Sequence, residues 1–218
     1  TPCGTLFPYT TLFRSENKPD QNTGGFEVWQ RFDRNHNHAQ FSPTDPNLVL
    51  FAQENHSDPI TGLRFGIVDR MWLIRRGEEA RPVFDTPTRV THEWWDPDGD
   101  HVWCVWGTEA WRTNIRTQEV ETVTWPNHCW HAHATTDCRY MIADSNERFY
   151  RGCPSKVGFL NRQTDTYLEL ADNPEMPGLV GSSYHIDPHP RFCGGSSMWS
   201  SRQPCAGGSI SPWRRRRI

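Results

Sequence analysis

Short apolar runs separated by clusters of Pro, Gly, Asp and Asn make up most of this chain. Phe26-Glu-Val-Trp-Gln-Arg-Phe32 alternates apolar and polar positions, which predicts a strand over 25–34. Residues 48–53 follow a Pro43-Thr-Asp-Pro46 turn and are apolar almost throughout, as in a buried strand. After a Pro59-Ile-Thr-Gly62 turn, residues 65–75 read as one long strand or a strand pair, and 76–79 as a hairpin tip. Residues 81–84 form an edge piece, because Pro82 has no N–H to give to a ladder. Residues 102–107, 110–116 and 119–124 predict three alternating strands, and 140–144, 157–161 and 167–170 repeat the arrangement. A Pro/Gly loop spans 173–181. Strands recur every 8 to 15 residues without sustained helical spacing, so an all-β fold is expected.

A longer period overlies this one. Four times a histidine is followed by a short spacer and a turn. His38-Ala-Gln-Phe-Ser-Pro precedes Leu48-Val-Leu-Phe51, His92-Glu-Trp-Trp-Asp-Pro precedes His101-Val-Trp-Cys-Val105, and His133-Ala-Thr-Thr-Asp-Cys precedes Arg139-Tyr-Met-Ile-Ala143. The fourth copy, His189-Pro-Arg-Phe-Cys-Gly-Gly195, stops where its strand should begin. The heads are 54, 41 and 56 residues apart. A period of roughly 40 to 55 residues, with about four strands per unit, is the signature of a β-propeller. The chain is therefore expected to be a partial β-propeller, three to four blades of a larger ring. Blade repeats place equivalent positions at equal radius, so the head histidines are expected to gather at one end of the central channel. The competing expectation is that they only stitch turns together inside each blade.

Three segments are expected along the chain. Residues 1–15 resemble a translated sequencing-adapter string and are set aside as non-native. Residues 16–195 are the propeller fragment. Residues 196–218 turn Ser/Arg/Pro/Gly-rich and end in four arginines, which suits a frameshift near Gly195; sequencing the source DNA across that codon checks it. The chain carries 23 Lys+Arg against 26 Asp+Glu. The two end segments hold six of the arginines and none of the acids, so the remainder is clearly acidic, which argues against nucleic acid as a partner. There is no apolar run of ~18 residues, hence no membrane span. No signal peptide is visible, but the true N-terminus is expected to be missing, so the choice between a bacterial cytoplasmic and a periplasmic location stays open. Seven cysteines without CxxC spacing fit reduced core thiols; zinc on Cys138 and Cys193 lacks a pairing motif.

The repeated His-x-x-x-Ser/Asp-Pro, together with Val68-Asp-Arg-Met-Trp72, Thr91-His-Glu-Trp-Trp95 and His185-Ile-Asp-Pro-His-Pro-Arg-Phe192, resembles the oligogalacturonate lyase family of seven-bladed propellers. Propeller-type ulvan lyases are similar in layout. The resemblance covers roughly residues 26–195. It implies β-elimination on an anionic uronate oligosaccharide, with His92 as the base and Arg70 as its helper. It also implies a divalent metal, typically Mn²⁺, with His133 and His189 as the first and last ligands. The family's closing metal motif, Gln-x-x-His-x-His, aligns here with Tyr184, Asp187 and His189, and His185 is offset by one. An oxygen ligand at Asp187 would suit a harder ion such as Mn²⁺ or Ca²⁺, while Zn²⁺ is the softer alternative.

Such chemistry needs a cation on the sugar carboxylate and a base for the C5 proton. On this view His36 and His38 hold sugar hydroxyls, and Tyr184 or water protonates the leaving oxygen. Trp94, Trp95 and Trp130 either stack on sugars or pack the core. His131 and His133 alternate along a strand-like stretch, so one is structural, and His133 is favoured as the functional one. The second expectation is a non-catalytic propeller that binds sugar or protein.

Overall fold

A computed structural model of the chain describes residues 10–13, 27–32, 36–54, 66–145, 154–173, 188–193, 198–201 and 214–217. Among these residues every regular element is a strand, and no helix is long and apolar enough to cross a membrane. Strands β1 (Thr10–Phe13) and β2 (Glu27–Arg31) pair with each other. Three four-stranded sheets follow in chain order. The first holds β3 (His36–Phe41), β4 (Leu48–Gln53), β5 (Met71–Arg75) and β6 (Arg81–Pro82). The second holds β7 (Thr91–Trp95), β8 (His101–Trp106), β9 (Glu109–Asn114) and β10 (Val120–Thr124). The third holds β11 (Ala132–Ala134), β12 (Tyr140–Ser145), β13 (Ser155–Asn161) and β14 (Thr166–Asn173). A last sheet joins β15 (Arg191–Cys193), β16 (Met198–Ser201) and β17 (Arg214–Arg217). In each four-stranded sheet neighbours in sequence are neighbours in space. That is the up-and-down blade of a partial β-propeller.

The sheets owe their stability to their second strands. All six residues of β4 are buried, four consecutive residues of β8 are, and so are five of β12. Both faces of these strands are covered, so β8 is continuously apolar inside rather than alternating as its sequence predicts. The outer strand β10 has one buried residue of five, as expected of an edge. The Pro82 reading holds too: β6 lies at the edge of its sheet.

The chain divides into two compact units, Thr1–Trp103 with Arg112–Val120, and Cys104–Trp111 with Glu121–Ile218. In the first, Val49, Phe51 and Ile74 form a core cluster against which Trp29, Phe32, Phe41 and Trp72 pack. In the second, Ile142 and Val157 pack with Leu170, Ala171 and Phe192.

The head segments that the sequence suggested were only spacers are themselves the first strands β3, β7, β11 and β15. Each of the first three leads into a turn closed by a backbone hydrogen bond, its partners six residues apart in the first and five in the other two. Ser42 N–H donates to Leu48 O at 2.8 Å, Asp96 N–H to His101 O at 3.0 Å, and Thr135 N–H to Tyr140 O at 2.9 Å. The side chain at that position then caps the turn. Ser42 Oγ accepts from Thr44 N–H and Asp45 N–H, Asp96 Oδ1 from Asp98 N–H, and Thr135 Oγ1 from Tyr140 N–H. Gly99 in the second turn has φ +72, and a Cβ there would fall 1.9 Å from Thr44 Oγ1. Only glycine lets the first two turns approach this closely.

Candidate functional site

The turn positions Ser42, Asp96 and Thr135 set the register of the repeat. Four residues before them stand His38, His92 and His131, and His189 stands four before Cys193. The third head is therefore His131, not His133. His38, His92 and His189 have φ of +53, +52 and +44. Left-handed φ is uncommon for any residue but glycine, and such strain concentrates at functional positions. At His38 its local cause is visible. His36 and Asn37 pair with Gln53 and Ala52, then the register slips before Gln40 pairs with Leu50. The slip is a bulge, a device that re-aims a side chain.

In the first unit this bulge sets His38 against a buried carboxylate. His38 Nδ1 lies 3.0 Å from Glu93 Oε1. The Glu93 side chain is 0 % exposed, while that of His38 is 50 % exposed. Arg70, itself buried, donates from Nε to Glu93 Oε2 at 3.1 Å and from Nη1 to Glu54 Oε1 at 2.6 Å. Gln40 Nε2 donates to the Glu93 carbonyl, and Trp95 Nε1 to the Gln40 carbonyl, which ties β3 to β7. Burial works to raise the Glu93 pKa, but the hydrogen bond from His38 and the Arg70 charge outweigh it and hold the carboxyl below its usual value. The bond to Glu93 in turn raises the His38 pKa above that of a free imidazole, against partial burial.

The sequence-derived residues fall as follows. Arg70 makes its hydrogen bonds to Glu93 and Glu54, where the resemblance paired it with His92. His92 is half-buried beside Glu93 in β7. His36, partly buried, packs against the rings of Phe32, Phe51 and Trp72. Trp94 stacks on buried Trp103 at 5.6 Å, and Trp130 on His128. Tyr184, His185 and Asp187 lie outside the described residues. Glu54 and Glu93 were missed; the one available signal was a carboxylate immediately before Trp94-Trp95, where burial demands a partner.

The second unit holds its own cluster. Asp144, wholly buried, accepts the His131 N–H at 2.8 Å, His131 Nδ1 at 3.0 Å and the His189 N–H at 2.8 Å. The His131 and His189 rings stack with centroids 3.5 Å apart. A carboxylate on Nδ1 fixes an imidazole so that Nε2 faces any ligand, as in carboxylate–histidine–metal sites. Among the described residues no group of three or more His, Cys, Asp or Glu is placed to hold a metal ion. His133 instead accepts the Phe192 N–H at 3.4 Å and packs on the Phe192 ring.

Burial, with the Arg191 charge behind it, lowers the His133 pKa to about 4. The unfolded chain, with an imidazole near 6.5, then binds the proton first. His133 stabilises the fold above about pH 6.5, and that contribution is lost as pH falls toward about 4. Stability from urea midpoints should drop over this window by about 3 kcal/mol, and His133→Leu should flatten that part of the profile. An unchanged slope in the variant would place the ring in solvent.

No family model and no curated protein matches the chain. Solved structures do. An oligogalacturonate lyase in complex with manganese is similar with a TM-score of 0.66 at 20% identity, over 90% of this chain and 52% of that one. The oligogalacturonate lyase of Vibrio parahaemolyticus is similar with a TM-score of 0.60 at 22% identity, over 83% and 49%. TolB from Acinetobacter baumannii is similar with a TM-score of 0.57 at 16% identity, over 88% and 43%. The chain thus spans about half the length of either lyase, and over that span it has the fold of a β-propeller.

Proposed function

We propose that the chain is part of a lyase that cleaves uronate-containing oligosaccharides by β-elimination. The observation that carries this reading is the set of basic groups in the first unit. Arg70 and His38 converge on buried Glu93, the residue next to His92. β-Elimination asks for a base for the C5 proton and a donor for the leaving oxygen, and an imidazole can serve as either. His92 is the proposed base, and its left-handed backbone fits a residue held for chemistry rather than for packing. Arg70 is placed to act through Glu93, whose position it fixes.

A divalent ion, Mn²⁺ first among them, is proposed in the second unit on His131 and His189, with the remaining ligands from His185, Asp187 or His133. When bound, it would supply positive charge to an anionic ligand. Asp144 orients His131 for that task.

The test is incubation of the chain with oligogalacturonate, glucuronate-containing and ulvan oligomers, followed by ultraviolet detection of the unsaturated product. Product is expected from at least one, and His92→Ala should lower its rate by about 100-fold or more. Silence with all three overturns the proposal. It would favour a non-catalytic scaffold that binds sugar or protein.

A further inference from the structure

We infer that His38 is the proton donor to the leaving oxygen, presented through Nε2 by the buried carboxylate of Glu93. The assignment rests on the proposed β-elimination and adds to it the partner that the base requires.

The geometry is that of an oriented imidazole. Glu93 occupies Nδ1, and no described residue binds Nε2, which lies on the half-exposed side of the ring. A buried carboxylate on one ring nitrogen holds the other toward a reacting group, the arrangement general acid–base histidines share. The bulge in β3 and the φ of +53 place the ring there at the expense of regular pairing.

Charge decides whether the ring gives or takes a proton. Three charged groups face His38: Glu93 from β7, Arg70 from the segment entering β5, and Glu54 from the end of β4. Two carboxylates and one guanidinium leave one negative charge, and a protonated His38 neutralises the set. These surroundings favour the charged ring, the form a donor must take. The raised His38 pKa agrees.

The step balances as follows. The base removes the C5 proton, and the C5–H electron pair becomes the C4=C5 double bond. The C4–O4 bond breaks, and its electron pair leaves with O4. The Nε2 proton of His38 passes to O4, which departs as a hydroxyl. Neutral His38 then regains a proton from water.

Leaving-group chemistry tests this. His38→Gln keeps an N–H donor for Glu93 but has no transferable proton. With oligogalacturonate its kcat should fall by about 100-fold or more. With a uronate carrying 4-nitrophenolate at C4, which departs without a proton, the loss should be within about 3-fold. His38→Gly suits the left-handed backbone, and added imidazole should restore part of its activity. In wild type, kcat should fall as pH rises through the His38 titration, and His38→Gln should lack that limb. Equal losses on both substrates, with no imidazole rescue, overturn the donor role while leaving the lyase reading in place. A wild-type chain that eliminates neither substrate overturns the lyase reading and the donor role together.

Discussion

Arg70→Met is expected to destabilise the chain by about 3 to 5 kcal/mol, measured from urea midpoints near pH 7. The cause is not loss of attraction on a surface. Arg70 and Glu93 are both buried, and the Glu93 side chain has no exposure at all. Methionine fills much of the same volume but leaves Glu93 with His38 as its one charged partner, and it frees Glu54 as well. Removing one side of a buried pair strands the other charge in a medium that solvates it poorly. A second substitution gives the control. Glu93→Gln placed on Arg70→Met removes the stranded charge, and part of the lost stability should return. If Arg70→Met costs less than about 1 kcal/mol, Glu93 must be reached by water, and the buried network is not what holds β3 to β7.

Asp144→Ala should cost a similar amount, about 3 to 5 kcal/mol, in the second unit. This one carboxylate receives two backbone N–H groups and an imidazole from segments that precede β11 and β15. Alanine leaves all three donors without it, and each buried unsatisfied donor costs about 1 to 3 kcal/mol. Asp144→Asn retains one carbonyl acceptor and should lose less, about 1 to 2 kcal/mol. Hydrogen exchange at the His131 and His189 amides provides the local measurement. Both should exchange faster in the alanine variant, and unchanged protection would mean that the two segments are held by other contacts.

Much of this architecture was legible beforehand because turns and apolar runs are local. The Pro43-Thr-Asp-Pro46 and Asp96-Pro-Asp-Gly99 turns, the buried run at 48–53 and the edge placement of Pro82 all follow from neighbours in sequence. The first strands were not legible, for a physical reason. His36–Phe41 and Ala132–Ala134 are short and polar or small, and their strand character comes from the partner they pair with. The third repeat was placed two residues late because His131 and His133 both precede a turn. The backbone pair between Thr135 and Tyr140 is what distinguishes them. The Glu54–Arg70–Glu93–His38 network was invisible for a different reason. Its members lie 16, 23 and 55 residues apart, and no local pattern encodes such meetings.

The left-handed histidines carry a consequence for anyone seeking a hardier version of this chain. At residues 38, 92 and 189 an L-amino acid sits where glycine would be at ease, at a cost of about 1 to 2 kcal/mol each. At residue 38 an exchange to glycine would relieve the backbone but take a hydrogen-bond partner from buried Glu93, so backbone ease and the pairing of that carboxylate pull this position in opposite directions.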